Sequence, residues 1–278
     1  MAQLWPSLRE TAVLSFFYGP ACPFNRSMIY HQYRCIFIHI PKTAGKSMSN
    51  ALGLGWPGHK DISQYAAELN PKVLESYFKF SIVRNPWERL VSEYNYQRKK
   101  DRPKKDKLYV FDESGSKRGF AEWVKAAFAD PRRYRGEDWA GDVSPQIHRW
   151  SPQLDWISID GRIAVDFVAR LENINQDFQE IRKRIGLPRA TFPHNNAKWH
   201  WHYSHYYDPA TRDMVGEYYA RDIKAFNYRF EVRSTMDYLR EQIRSRLLAG
   251  IRKRRANFSE GPSNASDKEG SLQGKVNL

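Results

Sequence analysis

Cysteine is nearly missing from this chain: Cys22 and Cys35 are the two in 278 residues. Two are too few for a disulfide framework, and no cysteine pair has the close spacing of a structural zinc site. Acidic residues are also scarce, with 31 Asp and Glu against 45 Lys and Arg, a formal charge of +14. Such a chain attracts polyanions, and a nucleotide, a sulfated glycan or a nucleic acid would each satisfy it. A long apolar run is lacking as well. Ala12 to Tyr18, with Arg9 before it, faintly resembles a signal h-region, but the run is short and Tyr18, Gly19, Pro20 and Pro23 fall where a membrane span would continue. No transmembrane segment and a cytoplasmic location are therefore expected. There is no internal repeat. With 41 % hydrophobic and 14 % aromatic residues, wholesale disorder is excluded, and 278 residues suffice for one α/β domain with extensions.

What is present starts with residues 34–50, RCIFIHIPKTAGKSMSN. Cys35, Ile36, Phe37, Ile38 and Ile40 form an apolar, β-branched run of the kind buried on both faces in a parallel sheet. Pro41 stops the ladder, Gly45 permits positive φ, and Lys46 to Ser49 open a helix. In a strand–loop–helix of this type the loop amides and the helix N-terminus converge on one point. Lys42, Thr43, Ala44, Gly45, Lys46 and Ser47 surround it, so a phosphate or sulfate group is the expected occupant. The end of the nucleotide P-loop motif is matched by Gly45, Lys46 and Ser47, whereas Ile40 stands where its first glycine belongs.

Residues 80–96, FSIVRNPWERLVSEYNY, repeat the arrangement. A short apolar strand ends at Val83. Arg84, a turn with Asn85 and Pro86, and a helix with Trp87, Leu90, Val91 and Tyr94 on one side follow. Arg84 and Ser92 can both reach an anion lying over that helix start.

PKTAGKS after one strand and RNPWERLVSEY after another resemble the 5′-phosphosulfate loop and the 3′-phosphate motif of sulfotransferases that use 3′-phosphoadenosine 5′-phosphosulfate (PAPS). The chain is most similar to the carbohydrate group that includes heparan sulfate 2-O- and chondroitin sulfotransferases and small bacterial members. SPQLDWI (151–157), VDFVARLENINQDF (165–178), FPHNNAK (192–198) and residues 205–230 resemble that group's later blocks in order. A departure is Lys46, where the group usually has Thr. The resemblance implies an α/β fold, a P-loop-like three-layer α/β/α sandwich with a central parallel sheet. It implies PAPS as co-substrate, 3′-phosphoadenosine 5′-phosphate (PAP) as product, no metal, and a saccharide or other hydroxyl-bearing acceptor rather than a specific nucleic acid. Lys42 would neutralise the leaving oxygen, and Arg84 with Ser92 would hold the 3′-phosphate. Two other classes remain open at this point, a P-loop-type small-molecule kinase and a non-catalytic polyanion-binding protein.

A base must take the acceptor's proton. Gly53, Gly55, Pro57 and Gly58 make the backbone irregular around His59, which either caps the next helix as a surface residue or serves as that base. The resemblance points to the second role, with Glu172 as the rival and Arg170 as its possible ion-pair partner. QRKKDRPKKDK (97–107) is either a solvated loop or one wall of an acceptor groove. Ser151-Pro152-Gln153 fits either the acceptor side or a turn into a strand. Val165 to Val168 reads as an inner strand and Glu172 to Gly186 as a helix with Ile174, Phe178, Ile181 and Ile185 on one face. Phe120, Trp123, Val124, Ala127 and Phe128 have helical spacing and belong to the core. His200, His202 and His205 have spacing that zinc can use, but no Cys or acidic cluster accompanies them and stacking or packing explains the segment better. The expected organisation is an N-terminal extension over 1–27, with Met28 an alternative start, and a sulfotransferase domain over 28–232. An amphipathic helix over 233–250 and a disordered polar tail over 251–278 follow.

Overall fold

The computed structural model of the chain describes residues 28–53, 58–99, 109–130, 147–188, 190–193, 201–237, 239–240 and 243. Residues 1–230 form one compact unit and 231–278 a second.

The first unit is built on a four-stranded sheet in the order β1 (Ile29–Tyr30), β2 (Cys35–Ile38), β3 (Phe78–Val83), β6 (Phe167–Arg170). All four residues of β2 are buried, as a continuous apolar run in an inner strand requires. β2 pairs with β3 and β3 with β6 in parallel, Ile38 opposite Ser81 and Val83 opposite Arg170. The sheet is mixed rather than wholly parallel, because the two residues of β1 pair antiparallel with β2, Ile29 opposite Ile36. Ser81 in β3 has no access to water, and its hydroxyl donates to the Ile38 carbonyl at 2.7 Å, as a buried hydroxyl must. A separate two-stranded ladder joins β4 (Ser158–Ile159) to β5 (Arg162–Ile163).

The inner strand expected over 165–168 starts two residues later. The Asp166 amide donates to the Lys79 carbonyl and its carboxylate accepts from the Lys79 amide, so Asp166 closes the strand's start and the ladder runs on to Arg170. The crossover from β2 to β3 carries α1 (Gly45–Ala51), α2 (Ile62–Glu68) and α3 (Pro71–Ser76), and β3 leads into α4 (Pro86–Gln97). Asn85 caps α4 by accepting from the Trp87 and Glu88 amides, and Pro86 takes the first position, where no N–H is needed. α5 (Phe120–Ala129), α6 (Gln153–Ile157), α7 (Ile174–Arg184), α8 (Pro209–Tyr218) and α9 (Ala220–Ala225) follow. A single turn of 3-10 helix, Leu171–Asn173, precedes α7, so the helix expected from Glu172 begins at Ile174.

The core has two parts. One covers the sheet with Met48, Ile62, Trp156, Phe178 and Ile181; the other packs α4 against α5 and α8 through Trp87, Leu90, Tyr94, Trp123, Trp150 and Tyr219. Trp123, Val124 and Ala127 of α5 are fully buried, as their spacing requires. Among the described residues no helix is long and apolar enough to cross a membrane. In the second unit, residues 235–237, 239–240 and 243 are helical and the Ser234 hydroxyl accepts from the Asp237 amide. Met236 and Ile243 of the expected amphipathic helix are exposed there. Leu247, Leu248 and the expected polar tail lie outside the described residues, as do the N-terminal extension and most of the basic run at 97–107.

Candidate active site

Because β2 and β3 are parallel neighbours, the loops that follow them leave the same edge of the sheet. The first, Ile40 to Ala44, holds its carbonyls inward. The Thr43 hydroxyl donates to the Ile40 carbonyl at 2.8 Å, Arg89 Nε to Pro41 at 3.1 Å, and Arg84 Nη1 to Lys42 at 3.2 Å. Carbonyl and N–H of a trans peptide point in opposite directions, so these bonds fix where the following amides point. Lys42 and Ala44 take left-handed conformations, φ 69° and 66°. Non-glycine residues held there cost roughly 1 kcal/mol or more each, a strain that concentrates at functional loops.

Two readings of the loop change with the structure. Gly45 is not needed for positive φ, since it is the first residue of α1 with Ala44 as its left-handed cap. It is needed for space: a Cβ at position 45 would stand 1.7 Å from His39 Nε2. The Thr43 side chain does not line the anion position, because it is fully buried and its proton goes to Ile40. Lys46 is exposed on α1, while Ser47 is buried at its start.

Arg84 leaves β3 with its main chain clamped. Gln153 Oε1 accepts from the Arg84 amide at 2.8 Å and Gln153 Nε2 donates to the Arg84 carbonyl at 2.8 Å. Asp222 holds Gln153 in turn, accepting from its amide at 2.7 Å and from the Leu154 amide at 3.0 Å. Gln153 of the Ser151 block, the first residue of α6, is therefore a brace behind Arg84. Glu172 is also structural. Its Oε1 accepts from the Asn85 amide at 2.6 Å and its Oε2 from the Tyr228 hydroxyl at 3.1 Å, and the Arg170 guanidinium lies over the Tyr228 ring instead of pairing with it. Both carboxylate oxygens thus accept a bond that holds the turn.

Arg84 Nη2 pairs with Glu88 Oε1 at 3.0 Å. Glu88 and Ser92 are four apart on α4 and share a face, so a carboxylate lies between the two residues expected to hold one phosphate. Ser92 is half-buried on that face.

Behind the loop sits a buried polar stripe at i, i+4, i+8 of α4. Arg89 (3 % exposed) ties Pro41 to Ser151 and Arg149, donating to all three carbonyls. Glu93 (2 % exposed) forms a two-bond pair with Arg149, 2.7 and 2.8 Å, and accepts from Gln97 at 3.0 Å. Among the described residues, three cations meet around the Tyr96 ring: Lys42 Nζ at 4.1 Å, Lys99 Nζ at 5.3 Å and the Arg149 guanidinium at 5.4 Å from its centroid. Burial, then repulsion from Arg149, Arg84 and Lys99, pushes the Lys42 ammonium down to about 7 despite attraction from Glu93. Although burial works against it, Arg149 and Lys42 hold the Glu93 carboxyl below the ordinary range. An anion placed here would relieve this crowding of positive charge.

His59 stands beside the loop. Asp61 accepts from the Ser63 and Gln64 amides and caps α2, so His59 is not the cap. His59 Nδ1 lies 3.1 Å from the His39 carbonyl. A carbonyl only accepts, so Nδ1 carries a proton, and in the neutral ring the lone pair is then on Nε2. The ring stacks on His39 at 4.1 Å and meets the edge of Trp156 at 6.5 Å. Of the histidine trio downstream, His202 Nδ1 engages Ser204 and His205 lies near the Trp201 ring, while His200 lies outside the described residues.

A protein-family model described as "Sulfotransferase family" matches residues 57–229, which starts beyond the Pro41 to Ser47 loop and includes His59, Arg84 and Ser92. An uncharacterized protein of Archaeoglobus fulgidus is 27 % identical over 117 residues, covering 42 % of this chain and 74 % of that protein. No solved structure matches the chain.

Proposed function

Since the chain belongs to the sulfotransferase family, we propose that it transfers the sulfuryl group of PAPS to a hydroxyl of a saccharide acceptor, on a P-loop-like three-layer sandwich. The observation that carries the reading is the contact of Arg84 Nη1 with the Lys42 carbonyl. It joins the loop after β2 to the end of β3, which supports reading the two segments as parts of one nucleotide site.

In this reading the 5′-phosphosulfate lies on the Pro41 to Ser47 loop and the 3′-phosphate on Arg84 and Ser92. The acceptor oxygen attacks sulfur in line as the bond from sulfur to the bridging phosphate oxygen breaks. The acceptor's proton passes to His59 Nε2 and PAP leaves with the electron pair. Charge growing on the bridging oxygen is met by Lys42 and by amides already aimed by their bound carbonyls. Lys42 suits this because the anion restores the protonated form that its neighbours disfavour. No residue in this scheme calls for a metal.

Calorimetry with PAP and with ATP, followed by mass spectrometry of PAPS reactions over a panel of glycans, tests the proposal. PAP binding and a gain of one sulfuryl group on an acceptor are expected. ATP binding in preference to PAP would favour a kinase, and polyanion binding without PAPS dependence would favour a binding protein. Lys42→Ala should lower turnover at least about a hundredfold while the protein stays folded.

A further inference from the structure

His39 interrupts an otherwise apolar strand end and is 5 % exposed, yet the reaction as described does not use it. Its Nδ1 lies 2.8 Å from the Gly58 carbonyl, which fixes the proton there and holds the residue next to His59 in place. Its ring stacks on His59 with centroids 4.1 Å apart and planes 25° apart. Its main-chain carbonyl accepts from His59 Nδ1. Its Nε2 edge fills the place where any side chain at position 45 would begin. One residue thus contacts the first residue of α1, the Gly58 carbonyl and both the face and the Nδ1 of His59.

We propose that His39 is a positioning residue that ties the spacing of the anion loop to the orientation of His59. The proposal rests on the reading of His59 as the base. The ring acts as a spacer: a bulkier residue at 45 is excluded by it, and without it His59 loses the surface that sets its plane. Burial lowers the His39 imidazole to about 4, so near neutral pH it stacks as an uncharged ring and does not repel the imidazolium that His59 becomes on taking a proton. The other titratable groups acting on it are Arg149 and Lys42, both of which also oppose its protonation.

The test has a part that needs no turnover. Gly45→Ala should melt about 5 °C below the wild type, because overpacking against an immovable ring is destabilising. In a His39→Ala background the same change should cost less than about 1 °C, a coupling that a double-mutant cycle reads directly. Equal losses in the two backgrounds would overturn the spacer role. His39→Asn keeps an N–H for the Gly58 carbonyl and removes the ring. In that variant the pH midpoint of the His59 ring resonances, followed by NMR without substrate, should move. Its kcat should fall about tenfold with KM for PAPS within about twofold, the split expected when a base is misaligned and the nucleotide site is intact. An unmoved His59 titration would overturn the orienting role. If melting and titration respond as stated while the wild type transfers no sulfuryl group from PAPS, His39 does position His59 and the fault lies in the proposed reaction.

Discussion

The Arg84 guanidinium bridges the main-chain carbonyl of Lys42 and the carboxylate of Glu88, at 3.2 and 3.0 Å, joining the loop after β2 to the helix after β3. A planar fork is needed for that, since its donors diverge at fixed angles, whereas an ammonium presents one charged point. Arg84→Lys keeps the charge and should still weaken PAP binding by about tenfold or more, because it loses the second bond. Calorimetry at fixed salt checks this, and an affinity equal to wild type would remove Arg84 from the nucleotide site.

Glu88 leads to a prediction of opposite sign. Its carboxylate holds Arg84 Nη2 on the helix face between Arg84 and Ser92, so in the proposed nucleotide site it would compete with the 3′-phosphate. Glu88→Gln should therefore tighten PAP binding by a few-fold, roughly 1 kcal/mol, while giving up an i,i+4 pair worth about 0.3–0.5 kcal/mol of stability. Parallel titrations and thermal melts measure both quantities. Weaker PAP binding in Glu88→Gln would mean that the carboxylate orients Arg84 for the ligand instead of competing with it.

Patterns that depend on chain order were legible in the sequence. The apolar run 35–38 gave the inner strand, Asn85-Pro86 the helix start, and the two strand–loop–helix units follow neighbouring parallel strands. What could not be read there depends on which polar side chains face inward. The buried line Arg89, Glu93 and Gln97 left a trace, three polar residues at four-residue spacing on a helix whose other inward positions are apolar. Its partners Pro41, Arg149 and Ser151 come from distant segments. His39 left the same kind of trace, a polar residue inside an apolar run. For Gly45 the sequence suggested backbone freedom, and the structure gives a steric reason, because the ring that excludes a side chain comes from six residues earlier in the chain.

Glu93 and Arg149 are a buried pair with both oxygens engaged. Removing one member leaves the other charged without compensation, so Glu93→Gln should lower stability by about 3–5 kcal/mol. Urea unfolding with an unchanged slope would show this as a stability effect. Glu93→Leu combined with Arg149→Met should recover most of the loss, since well-packed apolar replacements of buried pairs are often neutral. Arg149 also shares the Tyr96 ring with Lys42, so recovery of fold without recovery of PAP affinity would separate its two roles.

Lys42 makes the site sensitive to pH, and the sign follows from its neighbours. Its folded pKa is lowered from 10.5 to about 7. Between those values the unfolded chain binds more protons than the folded one, so Lys42 makes stability rise with pH across that window. The penalty for keeping it charged is full below about 7 and fades toward 10.5. An anion on the loop reverses the balance by favouring the ammonium. PAP binding at pH 8 should therefore draw a proton from the buffer, and affinity should fall as pH rises from 7 to 9. Calorimetry in two buffers of different ionisation enthalpy measures the proton taken up. Lys42→Met should abolish that uptake even where residual binding persists. Uptake that survives the substitution would assign the proton to another group and leave Lys42 without the charge switch that the crowding around Tyr96 predicts.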